Sequence, residues 1–404
     1  MSNSDIFASI DVGSSKIVML IADFEEEKYH AIGNLSRASQ GVQDGKIVNL
    51  ESVAKIIKEM IQEARKKYNQ GIRFVNINIS DLHLITSNQN RQISFNGKSK
   101  VITKADVIQA IQNSTAGAVA ANKTKLSAIV NNFTVDDKIV DYPIGMKAEV
   151  LGVEVHLSTV SNQSLNNIKH CLDACDIGTD NIVLDSIASG AVCVSQEDKN
   201  AGICLLDIGA AVSNISVFSK GGVAFSQVFK IGGNTVTDNI SQAFNTSFEE
   251  AERLKLDYGM VQADPTLKDG LIEFYQIDSK ESHYLSRHEL IKVIEDIYQE
   301  ITSLIKKSLK NEKLDRALKS GFLIIGGASK IENCESFLLK QFKTRTKIAK
   351  INRDLVSGNE SLLNDINYYS AFGLLTFNGV EFYLEEVEPV KDGKWDGFKK
   401  IFDL

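Results

Sequence analysis

Two stretches of this chain follow one plan. IDVGSSKIVML begins at Ile10 and LDIGAAVSNISVF at Leu206. In each, an apolar run ends in Asp-apolar-Gly, passes through small residues and becomes apolar again. The matched residues Asp11 and Asp207 lie 196 positions apart. A unit that recurs once at such a spacing predicts two similarly built halves. The residues before each Asp are almost all apolar, so each copy predicts a buried strand, a tight turn and a second strand.

The turns carry chemistry as well as shape. Backbone N–H groups gathered at a tight turn bind phosphate oxygens. In the first copy Gly13 permits close approach of a ligand, Ser14 and Ser15 add hydroxyls, and Lys16 adds a positive charge. Gly209 and Ala210 hold the matching places in the second copy. Asp11 and Asp207 end buried strands, where an unpaired charge is costly, and a hydrated Mg²⁺ on phosphates would offset it. A third element, GFLIIGGASKIENCESFLLKQF, predicts a buried strand whose Gly326–Gly327 pair opens a helix at a sugar or base. Neither GxGxxG nor GxxxxGK[ST] occurs, which argues against Rossmann and P-loop sites.

Between these landmarks the texture changes. NLESVAKIIKEMIQEARKKY predicts a helix burying Val53, Ile56, Ile57, Met60, Ile61 and Ala64. Residues 83–160 alternate polar and apolar around one helix, as a small α+β insertion would. A helix is expected from Ser164, a hairpin at Lys220-Gly221-Gly222, and helices over about 234–260 and 287–312. With 404 residues and 43% hydrophobic residues the chain is long enough for two full cores. A net charge of −7 excludes general attraction to nucleic acid. Five cysteines, Cys171, Cys175, Cys193, Cys204 and Cys334, have no repeated spacing and read as reduced thiols, with a zinc site at Cys171, Cys175 and His170 as the lesser alternative. The N-terminus has no signal-peptide pattern, and no run of 18 apolar residues is present to span a bilayer.

The order IDVGSSK, LDSIASGA, LLDIG, IIGGASKIE resembles the actin/Hsp70/sugar-kinase superfamily. Within it the chain is similar to the FtsA family of bacterial cell-division actin homologues. NNFTVDDKIVDYPIGMKAEVLGVEVHL (131–157), GGNTVTDNISQAFNTSFEEAERLKLDYG (232–259) and SRHELIKVIEDIYQEI (286–301) carry this closer match. The resemblance implies an α/β, actin-like (RNase H-like, duplicated) two-domain fold with an interdomain nucleotide cleft and an inserted α+β subdomain. The first domain would comprise 1–82 and 164–200, the insert 83–163, and the second domain 201–380, with 233–315 as its nucleotide- and partner-binding part.

The resemblance also implies roles. ATP or ADP would be held by Gly13, Ser14, Ser15, Lys16, Gly209, Ala210, Gly232, Gly233, Asn234, Glu252, Lys255, Gly326, Gly327 and Ser329, with Mg²⁺ facing Asp11 and Asp207 through water. Glu252 and Lys255, three apart on one helical face, would approach the sugar or base, or else form a solvated ion pair. The expected partners are the C-terminal peptide of the tubulin-like protein FtsZ, further copies of the chain in filaments, and other divisome membrane proteins. The expected place is the cytoplasmic face of the bacterial inner membrane at the septum. A sugar or acetate kinase, or a pilus-assembly relative, is the alternative on the same fold.

Two positions depart from the family pattern. Its second loop usually reads Asp-x-Gly-Gly-Gly-Thr-x-Asp, and here Ala210, Ala211, Val212 and Asn214 replace two glycines, Thr and Asp. Alanine keeps the N–H donors only where φ is negative. Weakened nucleotide binding and at most slow hydrolysis are expected, with no residue identified as catalytic. Ile297 stands where the family often has Arg, which removes one expected FtsZ contact that Arg287, Lys292, Lys306 or Lys307 could replace.

The tail holds the chain's one Trp. At about 100° per residue, Trp395, Phe398, Ile401 and Phe402 share an arc of about 120°. Lys399 lies opposite with Asp396, Lys400 and Asp403, and Lys394 flanks the arc. Residues 394–404 thus predict an amphipathic helix lying in a membrane surface, after an acidic linker at 381–393. Four large apolar side chains give roughly 6–12 kcal/mol gross. Ordering a short helix that contains Gly397 subtracts much of it. One tail is expected to hold loosely, and several on one polymer firmly.

Overall fold

The computed structural model describes residues 6–68, 71–263, 268–279 and 281–377. The tail residues Lys394, Trp395, Phe398, Lys399, Ile401 and Phe402, and the linker 381–393, lie outside the described residues. Among the described residues no helix is long and apolar enough to cross a membrane.

Two sheets repeat one topology. In the first, Phe7–Val12 pairs antiparallel with Lys16–Glu25, which pairs with Lys28–Ala38; on its other side Phe7–Val12 pairs parallel with Phe74–Ile79, and that strand with Gly178–Leu184. In the second, Ile203–Ile208, Ser213–Ser219 and Gly222–Phe229 form the meander, with Gly321–Ile325 and Thr346–Ile348 added in parallel. The turns match atom for atom: Gly13 N–H donates to Lys16 O at 3.0 Å, and Gly209 N–H to Val212 O at 3.0 Å. Local sequence explains the hairpins. Lys220 (φ 55) and Gly221 (φ 87) take the left-handed backbone that a two-residue turn between twisted strands requires.

The first sheet packs on the helix Leu50–Tyr68, which buries Val53, Ile57, Met60, Ile61 and Ala64, with Ile56 at the edge of the stripe. The second sheet packs on the helices Gly233–Phe244 and Arg287–Asn311. The insert is a unit with its own core. Strands Ile85–Ser94, Lys123–Val135, Lys138–Val140 and Val150–Ser161 form one sheet, covered by the helix Lys104–Thr115 through Val107, Ala110 and Ile111. Cys171 and Cys175 are buried, each sulfur against a helix carbonyl (Leu50 O and Ala54 O). Burial pushes the Cys171 thiol up to about 11, as for an inert core thiol.

Three local expectations are corrected. The stretch 234–260 is two helices, Gly233–Phe244 and Phe248–Tyr258, because Asn245 turns left-handed (φ 49) and ends the first. Gly326–Gly327 opens a 3₁₀ turn, Gly327–Lys330, and the α-helix starts only at Cys334. The second domain does not run to 380. Val356–Gly358 pairs with Lys28–Ala38 in the first sheet, and the helix Tyr369–Thr376 packs on that sheet. The last described segment therefore returns to the first domain.

That return builds the base of the molecule. The helix Tyr369–Thr376 crosses Asp185–Cys193 with backbones nearly touching, and a Cβ at Gly373 would lie 1.9 Å from Ala188 O. The Ser189 and Ser370 hydroxyls bond at 2.9 Å, and Ser9 Oγ donates to Ala371 O at 2.7 Å. Gly373→Ala is expected to lower stability by about 2–4 kcal/mol in urea unfolding, because backbone must move to admit the methyl. Gly71→Ala, with nothing within 4 Å of the new methyl, leaves stability unchanged or slightly higher.

Candidate nucleotide cleft

Between the two halves lies a cleft of ≈ 640 Å³. The two matched turns face it from opposite sides, with Gly13, Ser14, Ser15 and Lys16 on one wall and Gly209 and Ala210 on the other. Among the described residues no acceptor takes the backbone N–H of Ser14, Ser15, Ala210 or Ala211. Ser14 Oγ accepts the N–H of Gly45 at 3.1 Å, which fixes the hydroxyl and leaves its proton to donate. None of Gly209, Ala210, Ala211 and Val212 has positive φ. The alanines sit in ordinary backbone, so the departure from glycine brings no strain and keeps the N–H donors.

Three carboxylates meet at the floor. Asp11 and Asp207 are joined by Asp185, at the start of the crossing helix. Asn78 Nδ2 donates to Asp11 Oδ1 at 2.6 Å, and Asn78 Oδ1 accepts Val12 N–H at 2.7 Å. Burial, then the Asp185 charge, pushes the Asp11 carboxyl well above the usual range. Burial, then Asp185 and Asp11, does the same to Asp207. Asp185 is raised by burial and shares a hydrogen bond with Asp207. Its Oδ1 is buried without a hydrogen-bond partner among the described residues. Lys16 is shifted down by burial.

Lys16 offsets the charge of this cluster only in part, at Asp11, and a hydrated divalent cation would supply the rest. Among the described residues no group of three His, Cys, Asp or Glu stands at direct-ligation spacing. The donor set therefore fits a cation held through water.

The far wall comes from the second domain. Lys255 Nζ lies 2.6 Å from Glu252 Oε2 and donates to Thr237 Oγ1 at 2.8 Å and to Gly233 O at 3.1 Å. Thr237, fully buried, also donates to Glu252. The pair is thus anchored to the helix Gly233–Phe244, and the solvated alternative is set aside. Gly326 (φ 92) is pressed against the floor, where a Cβ would lie 2.2 Å from Asp207 Oδ1. Tyr298, Arg287, Lys330, Glu332 and Asn367 complete the wall.

Most sequence-predicted residues line the cleft, and two do not. Gly232 lies behind the second turn, where a Cβ would strike Gly209 O at 2.6 Å and Ala210 O at 2.7 Å. Ser329 is buried and its hydroxyl donates to Gly326 O at 2.7 Å, closing the 3₁₀ turn. The N–H groups of Gly233 and Asn234 donate to Gly209 O and Ala210 O, so they bind the turn and are not available to a phosphate. Ile297 is a core residue, while Lys292, Lys306 and Lys307 are exposed. Arg287 points into the cleft wall, where its Nε donates to Tyr258 O at 3.1 Å. Asp185, just past the apolar strand end NIVL, is the floor residue that sequence reasoning missed.

Known proteins resemble this chain along most of its length. A family model described as "Cell division protein FtsA" matches residues 204–373, and one described as "SHS2 domain inserted in FTSA" matches residues 82–159. The chain is 27% identical over 408 residues to the cell division protein FtsA of Buchnera aphidicola from Acyrthosiphon pisum, covering 98% of this chain and 96% of that one. It is 24% identical to that of Pseudomonas aeruginosa (93% and 90% covered) and 25% to that of Escherichia coli K12 (92% and 90%). Among solved structures, a PilM–PilN type IV pilus biogenesis complex aligns with TM-score 0.62 at 15% identity, covering 91% of this chain and 97% of that one. MreB5 of Spiroplasma citri bound to ADP aligns at 0.59 and 14%, covering 92% and 96%. The fold is the actin-like one.

The shifted carboxylates make a pH prediction. Their folded values lie above the unfolded value near 3.8. Their contribution to stability is complete below that value and is lost as pH rises through the raised folded values. Asp207→Asn is expected to raise the ligand-free melting temperature at neutral pH by ~2–4 °C, the shift of ~1 kcal/mol in domains of this size. In calorimetry across the acid range, its stability should fall less with rising pH than that of the parent.

Proposed function

The chain belongs to the FtsA family of cell-division proteins, and on that premise we propose that it is an ATP-binding, polymerising adaptor that tethers FtsZ to the cytoplasmic face of the bacterial inner membrane at the septum and recruits later divisome membrane proteins. One observation carries the nucleotide part. Two matched turns face each other with N–H donors that no described residue takes, above three carboxylates whose mutual repulsion outweighs the charge of Lys16 beside Asp11. A nucleoside triphosphate with Mg²⁺ supplies both missing partners.

The chain's own groups divide the task. The N–H groups of Ser14, Ser15, Ala210 and Ala211, the Ser14 hydroxyl and the Lys16 ammonium hold phosphate oxygens. Asp11, Asp185 and Asp207 hold the waters of the cation, whose charge would return all three to the ionised state. Glu252 and Lys255 border the sugar, and Gly326, Gly327 and Ala328 border the base. Because the carboxylates neutralise a cation, none is left as a free base to activate water. The nucleotide therefore acts mainly as a structural ligand that stabilises the closed cleft, and hydrolysis is slow.

The membrane part rests on the sequence of the tail. One face joins Trp395, Phe398, Ile401 and Phe402, and lysines and aspartates nearly balance on the rest. Polymerisation multiplies the number of tails on one surface and so converts loose binding into stable attachment. The subdomain that holds the helix Arg287–Asn311 and the hairpin of Leu271–Tyr275 with Ser282–Ser286 is the proposed receiver of the FtsZ peptide.

Lys16→Ala is expected to weaken ATP affinity about tenfold in calorimetric titration, the loss of one charge-assisted contact, ~1.4 kcal/mol. Ala210→Gly should change it less than about threefold, since alanine is unstrained there. Intact chain with ATP should pellet with vesicles, and Trp395→Glu should not. Equal sedimentation of both would end the tethering reading.

A further inference from the structure

The second domain ends, away from the cleft, in a basic face. Residues 306–319, the end of the helix Arg287–Asn311 and the loop after it, hold six cations and two carboxylates. Residues 340–347, which end the helix Cys334–Phe342 and enter the strand Thr346–Ile348, hold four cations and no carboxylate. Each segment is thus +4, and together they carry +8 in a chain whose total is −7. All ten cations are exposed. The segments meet in space. Phe342 stacks on Phe322 with centroids 3.9 Å apart, and Lys306 Nζ lies 5.9 Å from the Phe342 ring and donates to Gln341 Oε1 at 3.4 Å. Phe322 N–H donates to Arg345 O at 2.8 Å, which places Arg345 beside the loop that ends at Gly321. The helix Gln196–Ala201 and the turn at Lys220 lie at the same strand ends and add two cations and two carboxylates, so the balance stands. Among the described residues only Arg345 of the ten cations forms an ion pair, with Asp198 at 3.3 Å.

The backbone at this end is costly. Lys220 (φ 55), Lys313 (φ 58) and Lys343 (φ 55) are the lysines with left-handed backbone among the described residues, and all of them stand here. Lys343 caps the helix Cys334–Phe342, and Lys313 follows the helix Arg287–Asn311 in its loop. Glycine or asparagine relaxes such positions, and lysine does not. Lysines do offset the partial negative charge at helix C-termini, but two helices present only about one unit of it. A charge of +8, held partly on strained backbone, exceeds what the fold itself uses.

We propose that this face lies against the anionic headgroups of a bilayer, as a second contact beside the tail; its orientation rests on the tethering reading. Eight of the ten cations are lysines. A lysine ammonium is a compact point charge without the fork that fixes one carboxylate, which suits many mobile headgroups better than one ordered peptide. The placement agrees. The helix Arg287–Asn311 begins in the subdomain proposed to receive the FtsZ peptide and ends in the basic face, 25 residues or about 37 Å away. A molecule that bridges FtsZ and a membrane turns those two ends to its two partners. The tail leaves the first domain at the corresponding end of the first sheet. There Phe377 O accepts the side-chain amides of Asn76 and Asn181 at 3.2 and 3.4 Å, and the strands Phe74–Ile79 and Gly178–Leu184 run from that end toward the cleft. The two contacts divide the task. Residues 394–404 nearly balance three lysines with two aspartates, so the tail gives apolar insertion and little net attraction. The basic face gives the attraction and turns the molecule toward the lipid.

Sedimentation of the full chain, with ATP, on vesicles of phosphatidylcholine with and without phosphatidylglycerol tests the face. At low salt the parent should bind the phosphatidylglycerol vesicles at least ~10-fold more tightly than the neutral ones, and high salt should remove the difference. The combined variant Lys310→Gln, Lys313→Gly, Lys343→Gly, Lys347→Gln should lose that preference and keep its binding to neutral vesicles. Two of its changes relax left-handed backbone, so it should unfold in urea no earlier than the parent. A control of the same net charge, with Lys55, Lys58, Lys66 and Lys67 of the helix Leu50–Tyr68 each changed to Gln, should keep the preference. A face variant that retains the parent's preference overturns the proposal. So does a control that loses it equally, since total charge would then decide. Tighter binding by the face variant also overturns it, because the face would then hold an acidic segment such as the linker 381–393. Trp395→Glu separates this contact from the tail: it should lose neutral-vesicle binding and keep, at low salt only, weak binding to phosphatidylglycerol. If it binds as the parent does while the face variant does not, the tail reading falls and the face alone is the contact. If no form binds phosphatidylglycerol vesicles at low salt, both fall.

Discussion

The distance between the two halves is set where two helices cross without side chains between them. Gly373 lies against the Ala188 carbonyl, and Gly190 admits the ring of Phe218 from the second sheet. Larger residues there would separate the sheets, and with them the two turns. The crossing also explains the floor of the cleft. Asp185 begins one of the helices and Ser370 sits in the other, so the contact that closes the base also drives a third carboxylate under Asp11 and Asp207. Packing at the base and electrostatics in the cleft are one arrangement. The carboxylates are held together by apolar and small-residue contacts that gain nothing from their charge, and the resulting repulsion is available to favour a cation.

How much of this was legible follows from how local each feature is. The two turns were readable because Asp-x-Gly between apolar runs is a local instruction, repeated with the same spacing in both halves. The Gly326 position was readable for a similar reason: only glycine fits at φ 92 beside Asp207. The inserted subdomain showed itself by its alternating strands. Asp185 was not legible as a site residue, because LDSIASGA reads as an ordinary helix start and its burial depends on a segment nearly two hundred residues later. The return of the chain to the first domain was hidden for another reason. It rests on the three-residue strand Val356–Gly358, too short to carry a periodicity. The break at Asn245 was obscured because both flanking helices share one apolar stripe toward the same core.

The roles of Gly232 and Ser329 show a limit of motif reasoning. Both belong to the loop motifs, and neither reaches the cleft. Gly232 lets the helix Gly233–Phe244 press against the second turn, and Ser329 ties the 3₁₀ turn to Gly326. They shape the surfaces that a ligand would touch. The N–H groups of Gly233 and Asn234 make the same point, since a helix start offers donors only when the preceding chain has not already taken them. Here the carbonyls of Gly209 and Ala210 take both, so the second turn is locked to the helix and its remaining donors are fixed in direction.

Val212 shows what this chain does with the position where the family pattern has a threonine. Its side chain is buried, and one of its methyls lies 3.5 Å from where a Cβ at Gly45 would stand. Gly45 belongs to the loop that also brings Asp44 to Lys230 at 2.7 Å, and Gly45 N–H is the donor that fixes Ser14. A methyl in place of a hydroxyl thus trades a polar group facing the ligand for apolar contact across the cleft. On the other rim, Lys330 meets Asp365 at 2.6 Å. Both rims are therefore bridged by groups of the chain itself, one by an ion pair with apolar packing and one by an ion pair alone. The exposed ion pairs weaken with salt, whereas the Val212 contact does not. A nucleotide in such a cleft adds its contacts to a closure that already exists. This suits a ligand that stabilises a polymer-forming shape better than one whose turnover must open and shut the cleft in every cycle.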